Sequence, residues 1–382
     1  MVNKILYCAT VDYHFKAFHL PYMRWFKEQG WQVDIAASGE IDLPYTDNKY
    51  NIPIKRSPYH QSNMHAYKIL KEIIDKNDYN IIHCHTPLGG VLARLAARQA
   101  RKKGTKVIYT AHGFHFCKGA PLLNWFIYYP IERYLSRHTD SLITINHEDF
   151  SLAINHQFKA KNIEHIYGVG IDTERFKPVD KHRKLALRQS FGYQSDDFLL
   201  FNAGEFNKNK NQQFLIHAMK KLEKEQPNMK LLLAGEGERL ETCRHLAVKL
   251  GISHMIDFLG FRKDIEDILS ICDLAVGSSF REGLPVNIME AMSSGLPVLA
   301  VENRGHRDLI DHHKNGLILK KWNPDEFAQQ VKTFASERDF RIQLGKNGRQ
   351  MIVDKFSTTK ILAEKGRIYE TYMGGEELWA VH

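Results

Sequence analysis

The feature that most narrows the folds open to this chain is a rhythm that runs through it twice. Short, nearly continuous apolar runs alternate with longer stretches whose apolar residues recur at helical spacing. Before residue 170 the runs are Ile5 to Thr10, Gln32 to Ser38, Asn80 to Thr86, Lys106 to His112, Ser141 to Asn146 and Ile163 to Val169, with helix-like stretches such as Ala17 to Gln29 and Gly89 to Lys103 between them. A strand that is apolar on both faces must be covered on both faces, as in a parallel sheet wound with helices. After the polar, Pro-containing link around 170–179 the rhythm restarts: Phe198 to Ala203, Met229 to Ala234, Met255 to Leu259, Leu274 to Ser278, Pro297 to Val301 and Gly316 to Leu319. The chain is therefore expected to be α/β, two Rossmann-like doubly wound domains facing a cleft, with bounds at 1–175 and 176–357. A helix at 358–373 and a frayed tail at 374–382 complete the expected organisation.

A length of 382 residues suits two domains, and 43% hydrophobic with 25% charged residues lies in the globular range. No 18-residue apolar run is present, and the start passes directly into the strand-like Ile5 to Ala9, so a cytoplasmic protein is expected. Cys8, Cys84, Cys117, Cys243 and Cys272 are far apart and mostly in apolar runs, which fits reduced, buried thiols. The net charge of +9 falls mostly before residue 180 and is densest at Arg94, Arg98, Arg101, Lys102 and Lys103. That stretch reads either as a solvated helix face or as a surface for anionic lipid. Likewise Pro121 to His138, with Leu122, Leu123, Trp125, Phe126, Tyr128 and Tyr129, is either a core-packed helix or one that lies on a bilayer. No motif supports nucleic-acid binding, and the first strand is not followed by the glycine pattern of a dinucleotide oxidoreductase.

The chemistry concentrates in Ser278 to Met292. Glu282 falls in a loop after an apolar run, Pro285 suits a first helical turn, and Glu290 lies one to two turns into that helix. Between the two carboxylates, the N–H groups of Gly283, Leu284 and the first turn face the positive end of a helix dipole, where a phosphate is favoured. Carboxylates on either side of an anion pocket match the hydroxyls and diphosphate of a nucleotide sugar. Gly204 and Lys210, with Lys208, open an earlier helix in the same way. Gly235-Glu236-Gly237 ends a further strand and allows close backbone approach.

Gly204 with Lys210, Gly235-Glu236-Gly237, Phe258-Leu259-Gly260-Phe261 and last Glu282 and Glu290 with seven residues between them, in this order, resemble the signature of the GT4 family of retaining glycosyltransferases with the GT-B fold. Cys8 to Phe15 and Thr110 to Phe116 resemble the exopolysaccharide and capsule transferases of Gram-positive bacteria. The resemblance covers essentially the whole chain. It implies a donor domain at 176–357 and an acceptor domain at 1–175, to which the helix at 358–373 crosses back. It implies Lys210 on the donor diphosphate, Phe261 and Arg262 at the base, Glu290 near the ribose, Glu282 on the hexose and His112 on the transferred sugar. Asp12, His14 and His85 fall on the acceptor side. The partners implied are a UDP-sugar donor and a lipid-linked or glycan acceptor, with an anionic membrane as a candidate peripheral surface and no cofactor. Retention by front-face attack follows from the family; from the residues alone, two glutamates equally allow a double displacement.

Two departures from that family are visible. Glu205 stands where most members carry an arginine on the leaving diphosphate, so either Lys208, Arg281 or Arg304 supplies the second charge or the donor complex is weaker than usual. Tyr13-His14-Phe15 replace the glycines that usually follow the first strand. His83, His85, His112 and His115 are potential metal ligands, but no carboxylate or cysteine accompanies them at ligand spacing, and no metal is expected. Two further functions stay open: an epimerase or hydrolase of nucleotide sugars on the same fold, and a non-catalytic nucleotide-sugar-binding subunit.

Overall fold

The first sheet is built from β1 (Lys4–Val11), β2 (Gln32–Ser38), β3 (Asn48–Asn51), β4 (Ile81–His85), β5 (Lys106–Ala111), β6 (Ser141–Thr144) and β7 (Asn162–His165). In this computed structural model, which describes residues 2–373, all seven run parallel in the order β3-β2-β1-β4-β5-β6-β7. The expected tail at 374–382 lies outside the described residues. Strand β1 shows why the sheet is covered twice. Leu6 and Cys8 enter a core with Leu70, Ile74, Leu92 and Ala96, while Ile5, Tyr7 and Ala9 enter another with Phe15, Tyr22, Phe26 and Ile361.

The covering helices are α1 (Tyr13–Phe18), α2 (Leu20–Glu28), α3 (Ser62–Asn77), α4 (Pro87–Ala96), α5 (Arg98–Lys102), α6 (Leu122–Ser136) and α7 (His147–Asn155), with the C-terminal helix Thr358–Glu370. That last helix belongs to this unit, which comprises 2–170 and the segment from 358; the second unit is 171–357. Tyr369 on it lies 2.7 Å from His83 Nδ1, and Ile361 and Tyr369 are buried in the core beside β1. Two stretches expected as single helices are each broken in two, at His19 and at Ala97. Strand β3 carries no apolar run; it is an edge strand of sequence Asn-Lys-Tyr-Asn paired with β2.

The basic stretch needs correction. Arg94 is fully buried, stacked 3.9 Å from the Tyr109 ring centroid and paired at 2.8 Å with Glu132 of α6. Arg101 is committed to Asp140 at 2.8 Å. Helix α6 divides its apolar residues: Trp125, Tyr128 and Tyr129 pack on the core, whereas Leu122, Leu123 and Phe126 are 76%, 65% and 77% exposed. No described helix is long and apolar enough to cross a membrane, and all five cysteines are free and buried.

The second sheet consists of β8 (Phe198–Ala203), β9 (Met229–Ala234), β10 (Ile256–Gly260), β11 (Leu274–Gly277), β12 (Val298–Val301) and β13 (Leu317–Leu319), parallel in the order β10-β9-β8-β11-β12-β13. Its helices are α8 (Lys181–Ser190), α9 (Gln212–Leu222), α10 (Leu240–Lys249), α11 (Ile265–Ile271), α12 (Val286–Ser293), α13 (Arg304–Leu309), α14 (Pro324–Ser336) and α15 (Arg338–Met351). Each sheet reverses its winding once, between β1 and β4 in the first and between β8 and β11 in the second. Such reversals open a crevice at the carboxyl ends of the strands, where ligands of these folds bind.

Candidate functional site

At the reversal of the second sheet, the loops after β8 and β11 are tied together by polar contacts. Phe280 N donates to Asn209 O at 2.8 Å, Asn209 Nδ2 to Arg281 O at 2.8 Å, and Ser278 Oγ to Lys210 O at 2.8 Å. Asn287 Nδ2 on α12 reaches back to Ala203 O at 2.7 Å. This lacing brings together two residues 72 positions apart: Lys210 Nζ lies 2.6 Å from Glu282 Oε1. Burial alone would raise the Glu282 carboxyl, but the charge and hydrogen bond of Lys210, a hydrogen bond from Ser279 and the nearby His306 hold it below the ordinary carboxylate value. Glu282 is therefore an ionised acceptor, and Lys210 a cation held in place by it.

The loop itself is clamped by α13. Arg304 Nε donates to Glu282 O at 2.8 Å, and a Cβ on Gly305 would lie 3.0 Å from Glu282 Cβ and 2.9 Å from Pro285 Cδ. Only glycine lets α13 approach the Glu282 loop so closely. On the other side, Gly235 has φ +136°, and a Cβ there would fall 2.1 Å from Gly204 O. The glycines of Gly235-Glu236-Gly237 are thus required by the packing of one crevice loop on another. The Glu236 side chain is exposed, and its carbonyl accepts from Phe206 N at 2.8 Å.

Glu290 occupies a different setting on α12. Burial raises its carboxyl to about 7, opposed by Arg175 and reinforced by Glu266. Arg175 is ion-paired with Glu266 at 2.7 Å. Sequence reasoning missed Arg175 because it placed the domain boundary on that residue; the break falls at 170, and Arg175 belongs to the second unit beside Glu290. Ser279, Asn209 and His306 were missed as well, since each acts through its position in the folded loops. Phe261 is exposed, as a residue that receives a planar group would be, and Arg262 is paired with Asp264 at 2.5 Å. Gly283 and Leu284 lie between Glu282 and the start of α12, Leu284 being buried.

The exposed Glu205 carboxylate accepts from Asn207 Nδ2 at 3.2 Å, and neither Lys208 nor Arg281 pairs with it, while Arg304 is turned onto Glu282 O. Lys208 is exposed.

At the reversal of the first sheet, Asp12 is spent on the fold. Its buried carboxylate accepts from Lys49 Nζ and Ile41 N, both at 2.7 Å, and this ties the loop after β1 to the edge strand β3. His14, His85 and His112 do come together, joined by His19, which the sequence did not single out. His14 Nε2 is 3.1 Å from His19 Nε2, and His85 Nδ1 is 3.3 Å from His112 Nε2. His83 is excluded from this group by Tyr369 and by Thr110 Oγ1 at 2.8 Å, and exposed His115 meets the Tyr128 ring in a tilted contact.

Residues 184–351 match the family model of group 1 glycosyl transferases, and residues 4–146 match that of glycosyl transferase 4-like domains. The chain is 48% identical, over 98% of both chains, to EpsD of Bacillus subtilis (strain 168), which carries the name of a glycosyltransferase. It is 27% identical, over 77% of this chain and 75% of the relative, to an Escherichia coli UDP-Gal:alpha-D-GlcNAc-diphosphoundecaprenol alpha-1,3-galactosyltransferase. Among solved structures, Anabaena HepE in complex with UDP and glucose superimposes with a TM-score of 0.80 at 19% identity, over 97% of this chain and all of that one. With the two parallel sheets, the carboxylates separated by seven residues, the two family models and 48% identity to a glycosyltransferase over 98% of its length, the chain belongs to the GT4 family of glycosyltransferases and has the GT-B fold.

Proposed function

We propose that the protein is a retaining glycosyltransferase that moves a hexose or N-acetylhexosamine from a UDP-sugar to a lipid-linked or glycan acceptor in exopolysaccharide or capsule assembly. The observation that carries this reading is the Lys210–Glu282 pair at the winding reversal of the second sheet. In the resting site each satisfies the other. A donor diphosphate draws the Lys210 ammonium to its oxygens, and the freed Glu282 carboxylate then accepts a hydroxyl of the sugar. Lys210 and the amino end of α12 stabilise the charge that grows on the leaving diphosphate, so this step needs no metal. The bond from the anomeric carbon to the phosphate oxygen breaks as the acceptor oxygen bonds to that carbon, and the acceptor proton passes to the departing phosphate. Attack on the face of the leaving group retains configuration. Glu290 accepts from the ribose, Phe261 and Arg262 flank the base, and His112 contacts the transferred sugar.

The name of EpsD supports glycosyl transfer, that of the diphosphoundecaprenol galactosyltransferase supports a lipid-linked acceptor, and the UDP complex of HepE supports the nucleotide. A lipid-linked acceptor places the enzyme in the cytoplasm at the inner face of the membrane. The test begins with thermal stabilisation by a panel of UDP- and GDP-sugars, followed by release of UDP with and without lipid extract. Glu282→Gln is expected to lower transfer by roughly 1.5–3 kcal/mol in barrier while sparing UDP affinity. UDP-sugar turnover that needs no acceptor would move the reading to an epimerase or hydrolase. Binding with no turnover in native lipid extract would make the chain a binding subunit.

A further inference from the structure

We propose that His14, His19, His85 and His112 form a binding site for one first-row transition-metal ion of the Zn2+ type within the first unit. One ring nitrogen from each of the four lies within 4.8 Å of those of the others. The two short separations, 3.1 Å for His14–His19 and 3.3 Å for His85–His112, are close to the edge of about 3.3 Å that a tetrahedron of nitrogens has around zinc. The topology makes this convergence: His85 ends β4, His112 follows the neighbouring β5, and the break between α1 and α2 at His19 turns two further rings onto the same strand ends.

The donor chemistry fits. Metal ligation requires neutral imidazole, and burial holds all four rings below the usual histidine value, His14 at about 4. The opposite ring nitrogens of two of them, His19 Nδ1 and His85 Nε2, are buried without a hydrogen-bond partner, so no protein group fixes which nitrogen of these two rings carries the proton. The cationic side chain felt by His14, His19 and His112 is Lys365, whose ammonium is buried over the Tyr22 ring, 4.2 Å from its centroid, without a hydrogen-bond partner, and is driven down to about 7. All-imidazole ligation selects zinc, copper, nickel or cobalt over magnesium and calcium. Four protein ligands leave no open position, so the ion would fasten the α1–α2 segment to the ends of β4 and β5. His112 is the one residue shared with the transfer reaction proposed above, one ring nitrogen ligating the ion and the other left for the sugar, and metal binding is therefore read without donor or acceptor.

The experiment uses untagged full-length protein, stripped with chelator, dialysed to equilibrium against Zn2+ and titrated in parallel with Co2+ under visible absorption. One tightly held equivalent per chain and the intense visible bands of tetrahedral Co2+ are expected. His19→Phe and His85→Gln are each expected to abolish the bands and weaken Zn2+ at least about tenfold. The exposed neighbours His312 and His313, whose ring centroids are 4.1 Å apart, provide the control: His312→Ala with His313→Ala must leave the tight equivalent in place. No tight equivalent in the wild type, weak octahedral Co2+ bands, retention in His19→Phe and His85→Gln, or loss in the His312/His313 variant would each overturn the site. Circular dichroism reports whether the buried variants fold; if they do not, the wild-type Co2+ spectrum decides.

Discussion

Glu282 and Glu290 are the same residue type eight positions apart, and the fold gives them opposite characters. Lys210 keeps Glu282 ionised, whereas burial lifts Glu290 to about 7. If Glu290 accepts ribose hydroxyls as a carboxylate, nucleotide affinity must rise as pH climbs through about 7, by up to about tenfold per pH unit below that point. Calorimetric UDP titrations from pH 6 to 8 check this, with Glu290→Gln expected to flatten the part of the slope that UDP itself does not cause; equal slopes would remove Glu290 from the nucleotide site. Glu205 yields a second prediction. Its carboxylate is exposed and held by an amide, so Glu205→Gln frees no cation and should leave UDP affinity within about twofold, while Glu205→Arg places a positive charge beside the proposed diphosphate and should raise it. A loss of affinity in Glu205→Arg would sink that account. The carboxylate pair could be read from sequence spacing alone. The difference between its members could not, because Lys210 reaches Glu282, and Arg175 reaches Glu290, only through the folded loops.

At the scale of elements, the buried strands β8 and β9 are legible to the residue because each is an apolar run between polar turns with a single polar residue in it, Asn202 or Lys230. Strand β3 was invisible, since its only apolar residue is Tyr50 and its other anchors, Asn48 to Asp34 and Lys49 to Asp12, join residues far apart in sequence. The histidine cluster was misjudged for a related reason. Alternation puts His83 and His85 on one face of β4, but a tyrosine from the C-terminal helix claims His83, and a break between two short helices supplies His14 and His19 in its place. Helix α6 shows both readings at once, with core-packed aromatics and an exposed Leu122, Leu123 and Phe126. If this end of α6 meets the membrane proposed above, Leu122→Ser with Leu123→Ser and Phe126→Ser should abolish flotation with anionic vesicles. The exposed Lys102 and Lys103 should make that binding fall with salt. Arg101 is a poor target for such a test because its loss strips Asp140 of a partner. Flotation of the triple variant at the wild-type level would reject the surface.

For the whole molecule, the buried titratable groups are divided unequally between the two units. In the first, burial lowers His14, His19, His83, His85, His112 and His165, and it drives Lys365 from 10.5 to about 7. A depressed group contributes stability above its unfolded pKa and loses it as pH falls through the folded one. The histidine contribution is therefore present above about 6.5 and drains away below it, and the Lys365 contribution, whole only above 10.5, is already eroding across the neutral range. In the second unit Glu290 runs the other way: raised to about 7, it favours the fold fully below 4.5 and loses that contribution as pH climbs through 7. His306 and Glu282 offset part of this, each losing stability in acid, but they stand against six histidines. Acidification from pH 8 to 5 should therefore lower the melting temperature of the first unit well ahead of the second and split a calorimetric transition in two. Pulse proteolysis at pH 5 assigns the halves: early cleavage must fall within 2–170 and beyond 358, with 171–357 surviving. Lys365→Met, which removes a buried amine that has no hydrogen-bond partner, should raise the first transition at pH 7 and narrow the gap, on the order of 4 kcal/mol at most from the lowering of the Lys365 ammonium, less the loss of its contact with the Tyr22 ring. First cleavage within 171–357, or a Lys365→Met variant that melts lower than the wild type at pH 7, would show that the buried charges of the first unit do not set its stability.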